Sequence, residues 1–125
     1  MPPRKRPRSE SQATVRQNVI AQNLLGFLHY LEAECGLAKN TVKAYSSDLR
    51  QFAAWYEDHG PMLPSQITLQ TLTAYLDDLH SRDLASSTVA RHLVAIKMLF
   101  RYLVLESIVE KSVADSMNSP KLWQY

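Results

Sequence analysis

The chain has 125 residues, a formal net charge of +2, 46% hydrophobic residues and one cysteine, Cys35. This length allows one domain with a packed core, and a lone cysteine excludes an intramolecular disulfide and a cysteine-cluster metal site. No apolar run approaches the ~18 residues that a membrane span needs, and no apolar stretch follows the charged N-terminus as in a secretory signal. We therefore expect a cytoplasmic protein in a reducing compartment, with no membrane contact.

The charge is unevenly distributed along the chain. Residues 1–18 carry five basic residues and one acid, a net charge of +4, whereas the rest carries 9 Lys and Arg against 11 Asp and Glu, a net charge of −2. The first segment combines Pro, Arg and Ser with almost nothing to bury, which predicts a disordered basic tail. This tail either strengthens binding to phosphates, acts as a nuclear-import signal in a eukaryotic cell, or is only a solvated end.

Two helices are predicted directly after this tail. Apolar residues at steps of three and four predict a helix over residues 19–35, which ends where Gly36 supplies a left-handed stop. A second helix is predicted to follow Asn40 and Thr41, both suitable N-caps, and to end at residues 59–61.

Two further helices and one short segment are predicted in the second half. The third helix begins with Thr68 as N-cap and ends around Arg82, and the fourth begins at residues 86–88 and runs to about Glu106. A short fifth helical segment is expected over residues 111–117. No strand-like alternation with hairpin turns occurs, so the prediction for residues 19–119 is an all-α domain, a compact bundle of four to five helices.

Two helix faces carry cations and hydroxyls but no acids. When consecutive residues are placed about 100° apart around the helix axis, one of these faces lies opposite the apolar face of the second helix. This second-helix stripe consists of Lys43, Ser47, Arg50 and Ala54. The corresponding fourth-helix stripe, also predicted to be exposed, consists of Thr88, Arg91, His92 and Ala95.

The acids of the globule gather elsewhere. Asp77, Asp78 and Asp83 place an acidic surface on the third helix. Because cations neutralise phosphates while hydroxyls and helix N-terminal N–H groups hold the phosphate backbone, the two stripes suit DNA. The alternative is that they are ordinary solvated helix faces.

The sequence offers no catalytic or metal-binding constellation. The four histidines lack metal-ligand spacing. Asp77 and Asp78 are neighbours on a helix and point in different directions, and three glycines are too few for a phosphate-cradling loop. We expect no metal and no cofactor.

Three motifs in register resemble a known family. The segments FLHYLEAECGLAKNTVKAYSSDLRQFAAWY, LASSTVARHLVAIKMLFRYL and SPKLWQ resemble, in this order, the N-terminal region of tyrosine site-specific recombinases of the phage-integrase and Xer type. The similarity extends from about Leu24 to Gln124. The chain departs from the family pattern at Val94, where a Ser is frequent, and at Val113, where a Pro is usual.

The resemblance implies a SAM-like core-binding domain that clamps one side of a DNA half-site through its second and fourth helices, in DNA integration or site-specific recombination. The implied partners are double-stranded DNA and neighbouring recombinase protomers on that DNA. The implied DNA-binding residues are Lys39, Thr41, Lys43, Ser47, Arg50, Ser87, Thr88, Arg91, His92 and Lys97.

The resemblance also implies where the chemistry lies. Recombinases of this family use a Tyr nucleophile, two Arg, a Lys and a His-x-x-Arg pair from a following domain, and no His-x-x-Arg occurs here. Tyr125 falls in residues 120–125, where the family has the start of its interdomain linker, so we do not expect it to be the nucleophile. The chain alone is expected not to cut DNA, whereas its parent protein is expected to be a tyrosine recombinase. The competing hypothesis is a helical protein–protein interaction module without DNA binding.

Overall fold

The computed structural model describes residues 16–118, which form helices and their connections without a strand in that range. The four α-helices are α1 (Val19–Ala33), α2 (Lys39–His59), α3 (Leu69–Ser81) and α4 (Ser86–Leu105). Two short 3₁₀ helices, Pro64–Gln66 and Val113–Asn118, follow α2 and α4. The all-α prediction is confirmed, whereas most of the predicted tail and the predicted linker lie outside the described residues.

Local signals end α1 and begin α3 as predicted. Gly36 has φ +67°, a left-handed conformation that costs glycine little because it has no Cβ. The N-cap of α3 is Thr68, and Thr68 and Thr71 bond each other's backbone N–H in a reciprocal capping arrangement. Asn18 caps α1 by accepting a hydrogen bond from the backbone N–H of Ala21 at 3.1 Å.

The predicted N-cap of α2 is wrong by two to three residues. The helix begins at Lys39, and its N-cap is Ala38, whose carbonyl accepts from the backbone N–H of Val42 at 3.0 Å. Asn40 and Thr41 therefore lie inside the first turn and cap nothing. The start of α4 at Ser86 is as predicted.

The predicted boundary between tail and domain is also too late. Asn18 is buried and donates from Nδ2 to the carbonyl of Ala53 at 3.0 Å. Arg16 donates from Nε to the carbonyl of Gly60 at 2.7 Å, and the backbone N–H of Gln17 donates to the carbonyl of Met62 at 2.9 Å. These bonds tie residues 16–18 to the end of α2, so they belong to the domain.

The core takes buried apolar residues from all four α-helices, and α2 packs against α4 within it. Helix α1 contacts both of them, and the C-terminal 3₁₀ helix closes the bundle against α3 and α4. Helix α1 comes close to α4 at Gly26, where a Cβ atom would lie 2.7 Å from the hydroxyl of Tyr102. Because α4 has neighbours on several sides, its buried arc is wide, and this decides which of its polar residues reach solvent.

Candidate nucleic-acid interface

The second-helix stripe lies on the surface, as predicted. Its four residues are exposed, and Lys39 extends the same face by one turn toward the start of α2. Arg50 donates from Nε to the hydroxyl of Ser46 at 3.1 Å. Between residues 16 and 118, no ion pair involves Lys39, Lys43 or Arg50. These three cations thus form no direct ion pair with an acid of the described domain.

The fourth-helix stripe is only partly exposed. Ser87 and Arg91 are exposed, and Thr88 and Lys97 are half-buried. The exposure predicted for His92 and Ala95 is wrong, because their exposed fractions are 1% and 0%. Both face the packed side of α4, and His92 therefore offers no surface to DNA.

Asp48, which the sequence reading missed as a site residue, joins the two helices. Its side chain is 0% exposed and accepts two hydrogen bonds from Arg91, Nε to Oδ2 at 2.8 Å and Nη2 to Oδ1 at 2.8 Å. Hydrogen bonding to this carboxylate raises the pKa of Arg91 above its ordinary value. The paired geometry fixes the first turns of α4 beside the middle of α2. The sequence did contain a signal for this role: Asp48 is a charged residue within the apolar arc of α2, one turn before Phe52.

His92 lies next to the same carboxylate. Its Nε2 is 3.2 Å from Oδ1 of Asp48, and its Nδ1 is 3.4 Å from the hydroxyl of Tyr75. Burial lowers the pKa of His92, and the nearby Arg91 and Arg82 lower it further, against the opposing attraction of Asp48. Burial and the two arginines thus favour the neutral form of His92.

This burial predicts a pH dependence of stability. Since the pKa of His92 is lower in the folded than in the unfolded chain, the unfolded chain binds the proton more readily as pH falls below about 6.5. The stabilisation from neutral His92 is present above that pH and is lost as pH falls toward the folded pKa. Urea unfolding measures the free energy of unfolding at pH 7.5 and at pH 5.5. The decrease between these two pH values is expected to be smaller in His92→Gln than in the unchanged chain. The control His29→Gln, at an exposed position, should keep the full loss, and an unchanged loss in His92→Gln would contradict the assignment.

The N-termini of the four helices differ in how they are capped. Asn18 and Thr68 cap α1 and α3 with side-chain hydrogen bonds. The N-caps of α2 and α4 are Ala38 and Ala85, which have no side-chain acceptor, and neither helix has an acid in its first turn. The first N–H groups of a helix have no partner within the helix and carry a partial positive charge. The two helices with cationic stripes thus present open, positive N-termini.

The predicted acidic surface on α3 is partly neutralised. Asp77 and Asp83 are exposed, but Asp78 is paired with Arg82. Arg82 also donates from Nη1 to Oε1 of Gln51 on α2 at 2.8 Å. The residues described contain no group of three or more His, Cys, Asp or Glu side chains placed to hold a metal ion. No helix in the same range is long and apolar enough to cross a membrane.

Comparison with known proteins gives consistent results. Residues 24–107 match the family described as "Phage integrase, N-terminal SAM-like domain". The chain is 36% identical over 96 residues to the tyrosine recombinase XerC of Roseiflexus castenholzii, covering 77% of this chain and 31% of that protein. It is 39% identical over 95 residues to the tyrosine recombinase XerD of Bradyrhizobium diazoefficiens, covering 76% of this chain and 30% of that protein. The matched part is thus under a third of the length of these two relatives. No solved structure matches.

Proposed function

The chain belongs to the family of phage integrase N-terminal SAM-like domains, and from this we propose that it binds double-stranded DNA as the core-binding domain of a tyrosine recombinase. In this proposal it clamps one side of a recombination half-site during DNA integration or site-specific recombination. Its neighbours on the DNA are other protomers of the recombinase. Strand cleavage and rejoining belong to a part of the parent protein outside this domain, because the chain matches about a third of the length of its recombinase relatives.

One observation carries the proposal: the exposed cations of α2 lie on a helix that the Asp48–Arg91 pair ties to the start of α4, and both helices have open N-termini. Phosphate groups bind well at such N-termini because N–H groups and the helix dipole act together. Lys43 and Arg50 supply cations along α2, where they border α1, and Ser47, Ser87 and Thr88 supply hydroxyl donors. We therefore propose that α2 and the start of α4 bind mainly the phosphate backbone, with limited reading of bases.

Removing a cation from the second-helix stripe tests the proposal. Lys43→Ala and Arg50→Ala are each expected to weaken binding to a fluorescein-labelled 20-base-pair duplex roughly threefold, and to reduce the slope of log affinity against log salt by about 1. Fluorescence anisotropy at several salt concentrations measures both quantities. Lys111→Ala is the matched control, because Lys111 is exposed on the C-terminal segment away from the stripe. If all three variants bind DNA equally, the stripe is not the interface.

The competing function is a helical protein–protein interaction module. One observation favours it: Leu25 on α1 is 76% exposed and lines a groove with Ala54 and Glu57 of α2. Binding through such an apolar surface is insensitive to salt, whereas phosphate binding weakens steeply as the salt concentration rises. NMR titration with duplex DNA separates the two functions. Shifts on α2 and the start of α4 support DNA binding, and shifts confined to residues before Val19 would contradict the assigned face.

A further inference from the structure

We infer that Asp48 is a positioning residue for DNA binding, which holds the guanidinium of Arg91 with its outer edge ready for a phosphate. This inference rests on the proposed function and names a residue that does not itself touch the DNA. Asp48 is fully buried behind the second-helix stripe, so it acts only through the side chain it holds.

The way Arg91 is paired leaves half of its guanidinium available. A guanidinium has five N–H groups along its edges. Arg91 uses Nε and Nη2 on Asp48, which is a side-on pairing. The end-on edge, with one hydrogen each on Nη1 and Nη2, stays open, and Nη1 has no hydrogen-bond partner among residues 16–118. The Arg91 side chain is 42% exposed, so a phosphate can reach that edge in bidentate geometry.

The position of Arg91 along α4 fits the same ligand. Arg91 lies one turn after Thr88, about 5 Å farther along the helix axis at 1.5 Å per residue. The open N-terminus of α4 begins just before Thr88. One DNA backbone can therefore contact the helix N-terminus and the Arg91 edge together.

Fixing Arg91 in advance has a thermodynamic reason. A free Arg side chain loses rotamer entropy when it is immobilised. Asp48 already fixes it in the free protein, and the Nε2 atom of His92 lies 3.2 Å from Oδ1 of the same carboxylate. The ordering cost is thus met during folding and not when DNA binds.

Asp48→Asn tests the inference because charge and positioning predict opposite results. The substitution removes a negative charge, which taken alone strengthens binding to DNA. If Asp48 positions Arg91, binding instead weakens about three- to tenfold, and the salt slope falls by about 0.9, the contribution of one phosphate. The control Asp77→Asn makes the same charge change at an exposed residue of α3, and it should bind as well as the unchanged chain or slightly better.

The measurement is anisotropy with the same 20-base-pair duplex, on variants whose helical circular dichroism shows that they are folded. If Asp48→Asn binds as tightly as Asp77→Asn, the inference is wrong while the proposed function stands. If the unchanged chain shows no salt-dependent binding, the proposed function itself fails. Should Asp48→Asn not fold, Arg91→Lys replaces it, because lysine keeps the charge but has no second edge. The inference then requires the same loss of affinity and slope, and unchanged binding overturns it.

Discussion

Arg91→Ala is expected to lower the free energy of unfolding by about 3 kcal/mol, because it leaves the carboxylate of Asp48 buried without its partner. Breaking a buried ion pair from one side costs about 3–5 kcal/mol. The lower end applies here since Arg91 is 42% exposed and its removal admits water. A small domain has a stability of about 5–15 kcal/mol, so this one change removes a large part of it.

The expected loss is measured by urea unfolding followed by circular dichroism. The control is Arg101→Ala, whose Nε lies 3.6 Å from Asp115 with both side chains exposed. An exposed pair of this kind contributes about 0–1 kcal/mol, so the control should be nearly neutral. Adding Asp48→Asn to Arg91→Ala should restore part of the stability, because a neutral amide is cheaper to bury than a carboxylate. A loss no larger than that of the control would show that Asp48 does not depend on Arg91.

This result also changes how weaker DNA binding by Arg91→Ala is interpreted. The same side chain supports the fold and borders the proposed interface, so a loss of affinity in that variant alone does not identify a DNA contact. Lys43 and Arg50 form no ion pair with the described acids, so their removal tests binding more directly than the removal of Arg91.

Ala85→Asp is expected to affect stability and DNA binding in opposite directions. Asp is a strong N-cap and Ala a poor one, so the substitution should stabilise the domain by about 1 kcal/mol. The same carboxylate occupies the N–H groups at the start of α4 and repels a phosphate there. Loss of charge-assisted hydrogen bonds of about 1.5–3 kcal/mol corresponds to at least tenfold weaker binding.

The control for this experiment is Gln70→Asp. It introduces the same charge in the first turn of α3, at an exposed position on the acidic side of the domain. Thermal unfolding and anisotropy on both variants separate a local effect from a change in net charge. Equal DNA affinities for Ala85→Asp and Gln70→Asp would show that the N-terminus of α4 does not bind phosphate. The corresponding change at Ala38 extends the test to α2.

Features that depend only on residues close together in the sequence were predictable. The helical periods identified α1 to α4, the glycine at position 36 ended α1, and Thr68 marked the start of α3. The exposed stripe of α2 was also predictable, because its polar and apolar residues lie on opposite sides of the helix.

Predictions for α4 were less successful because this helix packs on several sides. Its buried arc takes in His92 and Ala95, which spacing alone placed at the surface. The start of α2 at Lys39 was missed because Ala38, which has no capping side chain, is a poor sequence signal for an N-cap. Whether a polar residue at the edge of an apolar arc is exposed depends on which helix lies against it.

The sequence by itself determined the all-α class, the resemblance to a recombinase domain and the cationic face of α2. The first and last follow from residue spacing within single helices, and the resemblance follows from three sequence motifs in order. Only the tertiary structure decided that Arg91 is paired, that His92 is buried and that Asp48 joins two helices. Asp48 and Arg91 are 43 residues apart in the chain, and their pairing arises because packing of α2 against α4 excludes water from the carboxylate. A buried charge requires a partner, and the fold brought that partner from another helix.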